Sequence, residues 1–150
     1  MCLIVDINVA EAVLLQDNDP DFQDLHRHLF TTKAPPAQLV YGGRLTEEYE
    51  VNRDIRRILR VLDQAGRTRI VSNDLIETEC QVLEQLGVYE SNDVHILALA
   101  RAGKVRLLCT RDKALQNDFR NKAILDNPRG KVYTDRSHQH LLVRFCKPRS

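Results

Sequence analysis

Acidic side chains recur in this sequence where apolar strands end and helices begin. Asp6 directly follows the apolar run LIV, and Asp112 follows the run LLCT. Asp93 lies at the start of the helix-like segment SNDVHILALA, and Glu47 and Glu48 lie near the start of another helical segment. Carboxylates that lie close together raise each other's pKa, and a divalent cation removes that repulsion. Oxygen ligands without histidine or cysteine suit Mg²⁺ or Mn²⁺.

The capping of helices is the competing explanation for these acids. An acid at a helix start is favoured by free backbone amides and by the helix dipole, so Asp93 and Asp112, taken singly, are better explained as caps. Asp6 is different, because a carboxylate at the end of a buried strand is costly without a positive partner. No Lys or Arg flanks it in the sequence. The acids taken together therefore favour a metal site, and helical periodicity leaves the choice between Glu47 and Glu48 open.

The elements that must position these acids follow from the apolar pattern. The predicted strands are residues 3–6, AQLVYGG, TRIVS, VRLLCT (105–110) and KVYT. The predicted helices are about 9–15, about 21–30, a long helix from Thr46 to about Ala65, one from Asn73 or Asp74 to Gly87, one capped by Ser91 and stopped by Gly103, and one from near Lys113. The segment TTKAPPA is predicted to be a loop, and SHQHLLVRF a terminal helix or strand.

The alternation of strands and helices predicts an α/β fold. A parallel sheet covered by helices on both faces, a three-layer sandwich, is the expected arrangement. In such a sheet the carboxyl ends of strands and the starts of the following helices lie at the same edge, where ligands bind. The four acidic segments are therefore expected to meet at one edge of the sheet.

The composition is that of an ordinary globular chain, with 43% hydrophobic and 29% charged residues and a net charge of +1. A chain of 150 residues is expected to form a single domain. No signal-peptide pattern precedes the first apolar stretch, and no apolar run approaches the roughly 20 residues of a membrane helix, so a cytoplasmic protein without a membrane partner is expected. The four cysteines form no C-x-x-C pair, which favours free thiols over zinc ligands or disulfides.

Several other functional classes lose support from the motifs. The sequence contains neither G-x-x-x-x-G-K-[ST] nor G-x-G-x-x-G, which disfavours the nucleotide-binding enzymes that carry those loops. A phosphatase of the haloacid-dehalogenase type would resemble D-x-D after the first strand, and here Asn8 occupies the second position.

Four segments, in order, resemble the motifs of PIN-domain nucleases. IVDINV resembles the first-strand motif, GGRLTEEY the second acidic motif, SNDVHILALA the third, and LLCTRDKAL the fourth, in which Thr-x-Asp ends a strand. The resemblance covers about residues 2–135 and implies a central parallel sheet flanked by helices. This family includes many single-domain ribonucleases, among them the toxins of VapBC-type toxin–antitoxin pairs.

The resemblance implies an Mg²⁺- or Mn²⁺-dependent endoribonuclease with one or two metal ions, an RNA substrate, and an antitoxin and a second copy of the chain as protein partners. The residues implied as catalytic and metal-binding are Asp6, Glu48, Asp93 and Asp112, with Asp118 as a peripheral acid near the second metal position. Asn8 would support Asp6 and the first turn. Thr110 could hydrogen-bond a metal ligand or the substrate phosphate, and it is equally well explained as a strand residue that caps the next helix. Arg111 and Lys113, next to the acids, are candidate phosphate contacts.

Two alternatives stay open at this point. The chain is either an enzyme or a non-catalytic PIN-like binding or scaffold module, and metal dependence distinguishes the two. A basic stripe is also open to two interpretations, either phosphate contact or an ordinary solvated helix face. This stripe consists of Arg53, Arg56, Arg57 and Arg60.

Overall fold

A five-stranded parallel sheet forms the centre of the computed structural model, which describes residues 2–15, 19–30 and 37–143. The strands are β1 (Cys2–Val5), β2 (Gln38–Tyr41), β3 (Thr68–Ile70), β4 (Leu107–Cys109) and β5 (Lys131–Tyr133). Their order across the sheet is β3-β2-β1-β4-β5, and every neighbouring pair is parallel. Strands β1 and β4, which both lie inside the sheet, are uniformly apolar because both of their faces are covered.

Helices flank this sheet. They are α1 (Ile7–Leu14), α2 (Gln23–Phe30), α3 (Gly43–Val51), α4 (Arg53–Gln64), α5 (Asn73–Leu86), α6 (Val94–Gly103) and α7 (Lys113–Arg120), followed by a 3₁₀-helix, Arg136–Val143. Helices α1, α3 and α4 pack on one another, α2 packs on α1, and α5 packs on α6. The predicted three-layer α/β sandwich is confirmed. Within the described ranges, no helix is long and apolar enough to cross a membrane.

The core lies between the sheet and its helices. Leu3, Ile4 and Val5 of β1 are fully buried, and Ile4 and Val5 pair with Leu108 and Cys109 of β4. Burying an aliphatic side chain of this size contributes about 1.5–3 kcal/mol to folding. The apolar run that precedes Asp6 therefore anchors the first acid in the most buried part of the sheet.

The long helix predicted for Thr46–Ala65 is in fact two helices. Asn52 adopts extended backbone angles (φ −92°, ψ 115°) between α3 and α4. Its side-chain oxygen accepts hydrogen bonds from the amides of Asp54 (3.0 Å) and Ile55 (3.1 Å), so it caps α4. Asparagine favours this position because its side chain competes with helical backbone bonds. The prediction of one continuous helix was therefore wrong.

The break changes which side chains face inward. The helical spacing of Val51, Ile55 and Leu59 predicts that all three lie on the inner face of one long helix. Val51 is instead 88% exposed, whereas Ile55 and Leu59 are buried as predicted. The helix also begins earlier than predicted, so Glu47 and Glu48 lie in its second turn rather than its first.

A glycine pair explains the early start of α3. A Cβ atom on Gly42 would lie 2.6 Å from the carbonyl oxygen of Val71 and 2.9 Å from Cδ1 of Ile76. Gly43 has φ +54°, in the left-handed region that glycine tolerates best. The two glycines therefore let β2 turn at once into α3 against the segment that follows β3.

Other boundaries differ by small amounts. Asp93, not Ser91, occupies the N-cap position of α6, and the Ser91 hydroxyl accepts a hydrogen bond from the Asp93 amide (3.4 Å). The predicted loop at 31–37 lies outside the described residues except for residue 37. Cys2 is disulfide-bonded, which corrects the expectation of free thiols, whereas Cys80 and Cys109 are free.

Gly42→Ala is expected to lower the free energy of unfolding by about 1–3 kcal/mol, because the new methyl group overlaps a backbone carbonyl that cannot easily move. Urea denaturation measures this change. Gly66→Ala is the matched control, since no atom lies within 4 Å of its Cβ position. The free energy of unfolding of this control should fall only by the amount that a positive φ costs an alanine, about 1–2 kcal/mol. A loss well below about 1 kcal/mol for Gly42→Ala would contradict the steric explanation.

Candidate functional site

The sheet order brings two strands together that are far apart in the sequence. The chain runs outward from β1 to β2 and β3, and then returns to β4 on the other side of β1. Ligands of open α/β sheets bind beyond the carboxyl ends of the strands at such a reversal of direction. Asp6 follows β1 and Thr110 follows β4, and the Asp6 amide donates to the carbonyl of Cys109 (2.9 Å). The first and fourth predicted motifs therefore meet at this point.

The buried hydroxyl of Thr110 connects three of the predicted site residues. It donates a hydrogen bond to Oδ2 of Asp6 (2.7 Å). It accepts one from Nδ2 of Asn8 (3.4 Å) and one from the amide of Asp112 (3.1 Å). A hydroxyl has one donor and two acceptor sites, so all of its capacity is used. Thr110 therefore fixes the positions of Asp6, Asn8 and Asp112 relative to one another.

Asp6 is buried, and within residues 2–15, 19–30 and 37–143 it forms no ion pair. It occupies the N-cap position of α1, but its side chain makes no capping hydrogen bond. Burial raises the pKa of its carboxyl group most strongly, and the hydrogen bond from Thr110 opposes this shift. The negative charges of Asp93 and Glu48 raise the pKa further. Asp6 therefore lies close enough to two other predicted acids to feel their charge.

The capping explanation holds for Asp112 and fails for Asp93. The Asp112 side chain accepts a hydrogen bond from the amide of Leu115 (3.2 Å), so it does cap α7. Asp93 makes no capping bond. Burial raises the pKa of Asp93; His95 opposes this, while the charges of Asp112 and Glu48 and a hydrogen bond with the Asp112 carboxyl group add to it. These four carboxyl groups, the acidic group (Asp6, Glu48, Asp93 and Asp112), are thus linked by the electrostatic repulsion between their charges.

Helix α3 brings Glu48 into this group. The Tyr49 hydroxyl donates a hydrogen bond to the carbonyl of Val5, so α3 is tied directly to the end of β1. Glu48 accepts a hydrogen bond from Nε2 of His95 in α6 (3.2 Å). Its charge acts on both Asp6 and Asp93, whereas Glu47 is exposed. The structure therefore places Glu48, of the doublet, among the other acids.

The carboxylate oxygens of the acidic group are suitable ligands for a hard divalent cation, although the side chains of the group do not form a closed metal site. Among the described residues, no Lys or Arg forms an ion pair with any member. No three His, Cys, Asp or Glu side chains in these ranges are arranged to hold a metal ion as they stand. Carboxylate oxygens are nevertheless the ligands that Mg²⁺ and Mn²⁺ prefer.

Asp118 is not brought into the acidic group. Its buried carboxylate accepts hydrogen bonds from the amides of Glu90 and Ser91, both at 2.8 Å. Because these two residues lead into Asp93, Asp118 holds the segment that delivers Asp93 to the site. Its suggested role as a metal ligand stays a prediction, and its observed contacts are structural.

The predicted substrate-binding residues take up different positions. The guanidinium of Arg111 pairs with Asp19 (2.8 Å) and lies 5.0 Å from the ring centroid of Phe22, so it is directed toward the segment before α2. Lys113 is exposed in the first turn of α7, beside Asp112. Asn8 is exposed, and its side-chain oxygen accepts a hydrogen bond from the Arg111 amide (3.4 Å). The four arginines of α4 are all exposed.

His95 and Tyr49 are site residues that the sequence analysis did not identify. A signal for His95 exists, since it is the one ionisable side chain within the run VHILALA. Tyr49 gave no signal, because its hydrogen bond reaches a carbonyl 44 residues away in the sequence.

Comparisons with known proteins give one structural match. No family model matches the chain, and a search of curated proteins finds no match. The crystal structure of VapBC2 from Rickettsia felis bound to a DNA fragment from their promoter contains a chain with a similar fold. The TM-score is 0.51 at 14% sequence identity, and the match covers 89% of this chain and 100% of that chain. Similarity at this level concerns the fold alone, and it supports the PIN-like α/β sandwich.

The raised pKa of Asp6 predicts that Asp6→Asn stabilises the metal-free protein at neutral pH. A carboxyl group with a raised pKa binds its proton more tightly when folded, so stability falls as the pH rises from 3.8 through the raised value. The amide of the variant does not ionise, so its stability should fall less over this range. Urea denaturation between about pH 4 and about pH 7 measures the difference.

Asp135→Asn serves as the control of opposite sign. Hydrogen bonds from Ser137 lower the pKa of this exposed carboxyl group, so its contribution is present at neutral pH and lost on acidification. That variant should be slightly less stable than the native protein at neutral pH. A loss of stability in Asp6→Asn at pH 7 would show that its carboxylate is not an unfavourable charge.

Proposed function

We propose that this chain is a metal-dependent ribonuclease that hydrolyses phosphodiester bonds of RNA. The observation that carries the proposal is the convergence of four carboxyl groups from separate segments of the chain at the reversal point of the sheet. Burial and the negative charges of neighbouring carboxyl groups raise the pKa values of Asp6 and Asp93. No Lys or Arg of the described residues forms an ion pair with them that would offset this repulsion. This arrangement is unfavourable for the protein alone and favourable for binding a divalent cation.

The acidic group would hold one or two Mg²⁺ or Mn²⁺ ions. When bound, such ions lower the pKa of a water molecule and stabilise negative charge on the phosphate. The protein's own contribution is to position the ligands: Thr110 orients Asp6, and the amide of Leu115 orients Asp112. The side chains of Asp6 and Asp93 make no capping bond to a helix amide.

The residues beside the acidic group would bind the RNA phosphates. Lys113 is exposed next to Asp112, where a cation can meet a phosphate without entering the site. Asn8 lies at the same edge of the sheet, while Arg111 would have to exchange its pairing with Asp19 for a phosphate. Thr110 is less suited to substrate contact because its hydroxyl is fully used by other residues.

A non-catalytic binding or scaffold module is the second candidate. The observation in its favour is that no three His, Cys, Asp or Glu side chains of the described residues are arranged to hold a metal ion. Metal dependence separates the two functions, because a scaffold would be indifferent to chelation.

The proposal predicts that the purified protein cleaves single-stranded RNA with Mn²⁺ or Mg²⁺ and stops when the metal is chelated. Asp6→Asn and Asp93→Asn should lower the cleavage rate by at least about 100-fold while circular dichroism shows an intact fold. Glu48→Gln should have a comparable effect, and Glu47→Gln, one residue away and exposed, is the matched control. Cleavage that survives both chelation and Asp6→Asn would contradict the proposal.

Two protein partners belong to the same proposal. An antitoxin is proposed because the motifs resemble those of VapBC-type toxins and the fold matches a chain of the VapBC2 structure. A nuclease of this kind would act in the cytoplasm. The second partner is another copy of this chain, and its support comes from the surface around β3.

The large exposed apolar side chains of the described residues all fall within residues 51–88, the part of the sequence on either side of the edge strand β3. They are Val51, Val61, Ile70, Leu75, Val82, Leu86 and Val88. Leu75, Val82 and Leu86 are spaced so that they form one stripe along α5. Helix α5 carries only acidic charges, whereas α4 carries four arginines. Two-fold pairing at the β3 edge would bury the stripe and set basic α4 against acidic α5 of the other copy.

Replacing Val82 and Leu86 together by Glu should therefore convert a dimer to a monomer, because it places charge in the apolar centre of the contact. Sedimentation equilibrium measures the change in mass. Gln81→Glu adds a similar charge on α5 outside the stripe and should leave the dimer intact. A native chain that sediments as a monomer at high concentration would exclude this pairing.

A further inference from the structure

His95 of α6 is an unusual residue for its position. Its side chain is 10% exposed, and Nε2 lies 3.2 Å from Oε1 of Glu48. The other ring nitrogen, Nδ1, is buried and has no hydrogen-bond partner among the described residues. The following residues, Ile96 and Leu97, are fully buried apolar side chains. Among the described residues, the one hydrogen bond of the His95 ring is therefore with a member of the acidic group.

Stability does not account for a histidine here. A buried nitrogen without a partner costs free energy, and a leucine of similar size would fill the same space without that cost. The contact with Glu48 must therefore account for the residue. Since an ionised carboxylate only accepts hydrogen bonds, Nε2 carries the hydrogen and donates it to Glu48.

We propose that His95 is a positioning residue that directs the Glu48 carboxylate into the metal site. A glutamate side chain has several rotatable bonds, and a donor on one oxygen removes much of that freedom while the second oxygen stays available to a cation. The neighbouring acids Glu47 and Glu50 are exposed on the same helix. This inference rests on the proposed function, because it concerns a ligand of the proposed metal site.

The supporting geometry comes from two independent elements. Helix α3 is fixed to β1 by the hydroxyl of Tyr49, which sets the backbone of Glu48. Asp93 is the N-cap of α6 and lies two residues before His95, so the donor and the carboxyl group of Asp93 share one helix start. The charge of Glu48 acts on Asp93, so both carboxyl groups lie near each other. Donors that orient metal ligands in this way typically change metal affinity about 10- to 100-fold.

The affinity for Mn²⁺, measured by titration calorimetry without RNA, tests the inference. His95→Leu should weaken Mn²⁺ binding about 10- to 100-fold, because the donor is lost. His95→Gln should restore most of the affinity, since its side-chain amide can donate from nearly the same place. His140→Leu, at an exposed histidine outside the site, should leave binding unchanged.

Thermal denaturation without metal distinguishes positioning from a structural role. The His95→Leu variant should melt at or above the temperature of the native protein, since it removes an unpaired buried nitrogen. A lower melting temperature together with unchanged Mn²⁺ affinity would show a structural role and overturn the inference.

A double-mutant comparison shows whether His95 acts through Glu48. The double variant with His95→Leu and Glu48→Gln should bind Mn²⁺ no more weakly than Glu48→Gln alone, and additive losses would overturn the inference. The Asp6→Asn variant distinguishes a failure of the proposed function from a failure of this inference alone. If native protein and Asp6→Asn bind Mn²⁺ equally, the proposed function fails and the inference with it. If Asp6→Asn weakens binding and His95→Leu does not, only the inference fails.

Discussion

Uncompensated negative charge at the carboxyl ends of β1 and β4 is the constraint around which this molecule is organised. Burial of Asp6 beside other carboxyl groups costs free energy, and the hydrogen bond from Thr110 offsets only part of it. Several contacts elsewhere serve to hold these charges in place. Tyr49 ties α3 to β1, and Asp118 holds the segment that precedes Asp93. The fold therefore keeps the acids together despite their repulsion.

The same site concentrates features that do not favour stability. Asp6 and Asp93 have raised pKa values, and one nitrogen of His95 is buried without a partner in the described chain. Departures from the usual rules of folding are expected at functional sites, where binding supplies the compensating free energy. Their position at the reversal point of the sheet is consistent with a site that is completed by a ligand.

Apolar runs in the sequence were sufficient to predict the strands. The direction of parallel strands was then sufficient to predict the edge of the sheet at which the acids meet. The apolar pattern was insufficient for α3 and α4, since the apolar spacing continues through Asn52 and only its capping bonds reveal the break. The choice between Glu47 and Glu48 was also beyond the sequence. It depends on the hydrogen bond from Tyr49 to Val5, a contact between distant parts of the chain.

The interruption at Asn52 has a consequence for how such a protein can diversify. It divides one crossover into a helix that carries Glu48 and a helix that carries the arginine stripe, and Asn52 is also bonded to Glu11 of α1 (2.9 Å). Asn52 therefore fixes this joint with its own side chain, through the amides of α4 and through α1. The carboxyl group of Glu48 and the arginines consequently lie on separate helices of a single connection of the sheet, so that each helix can vary in sequence under its own constraints.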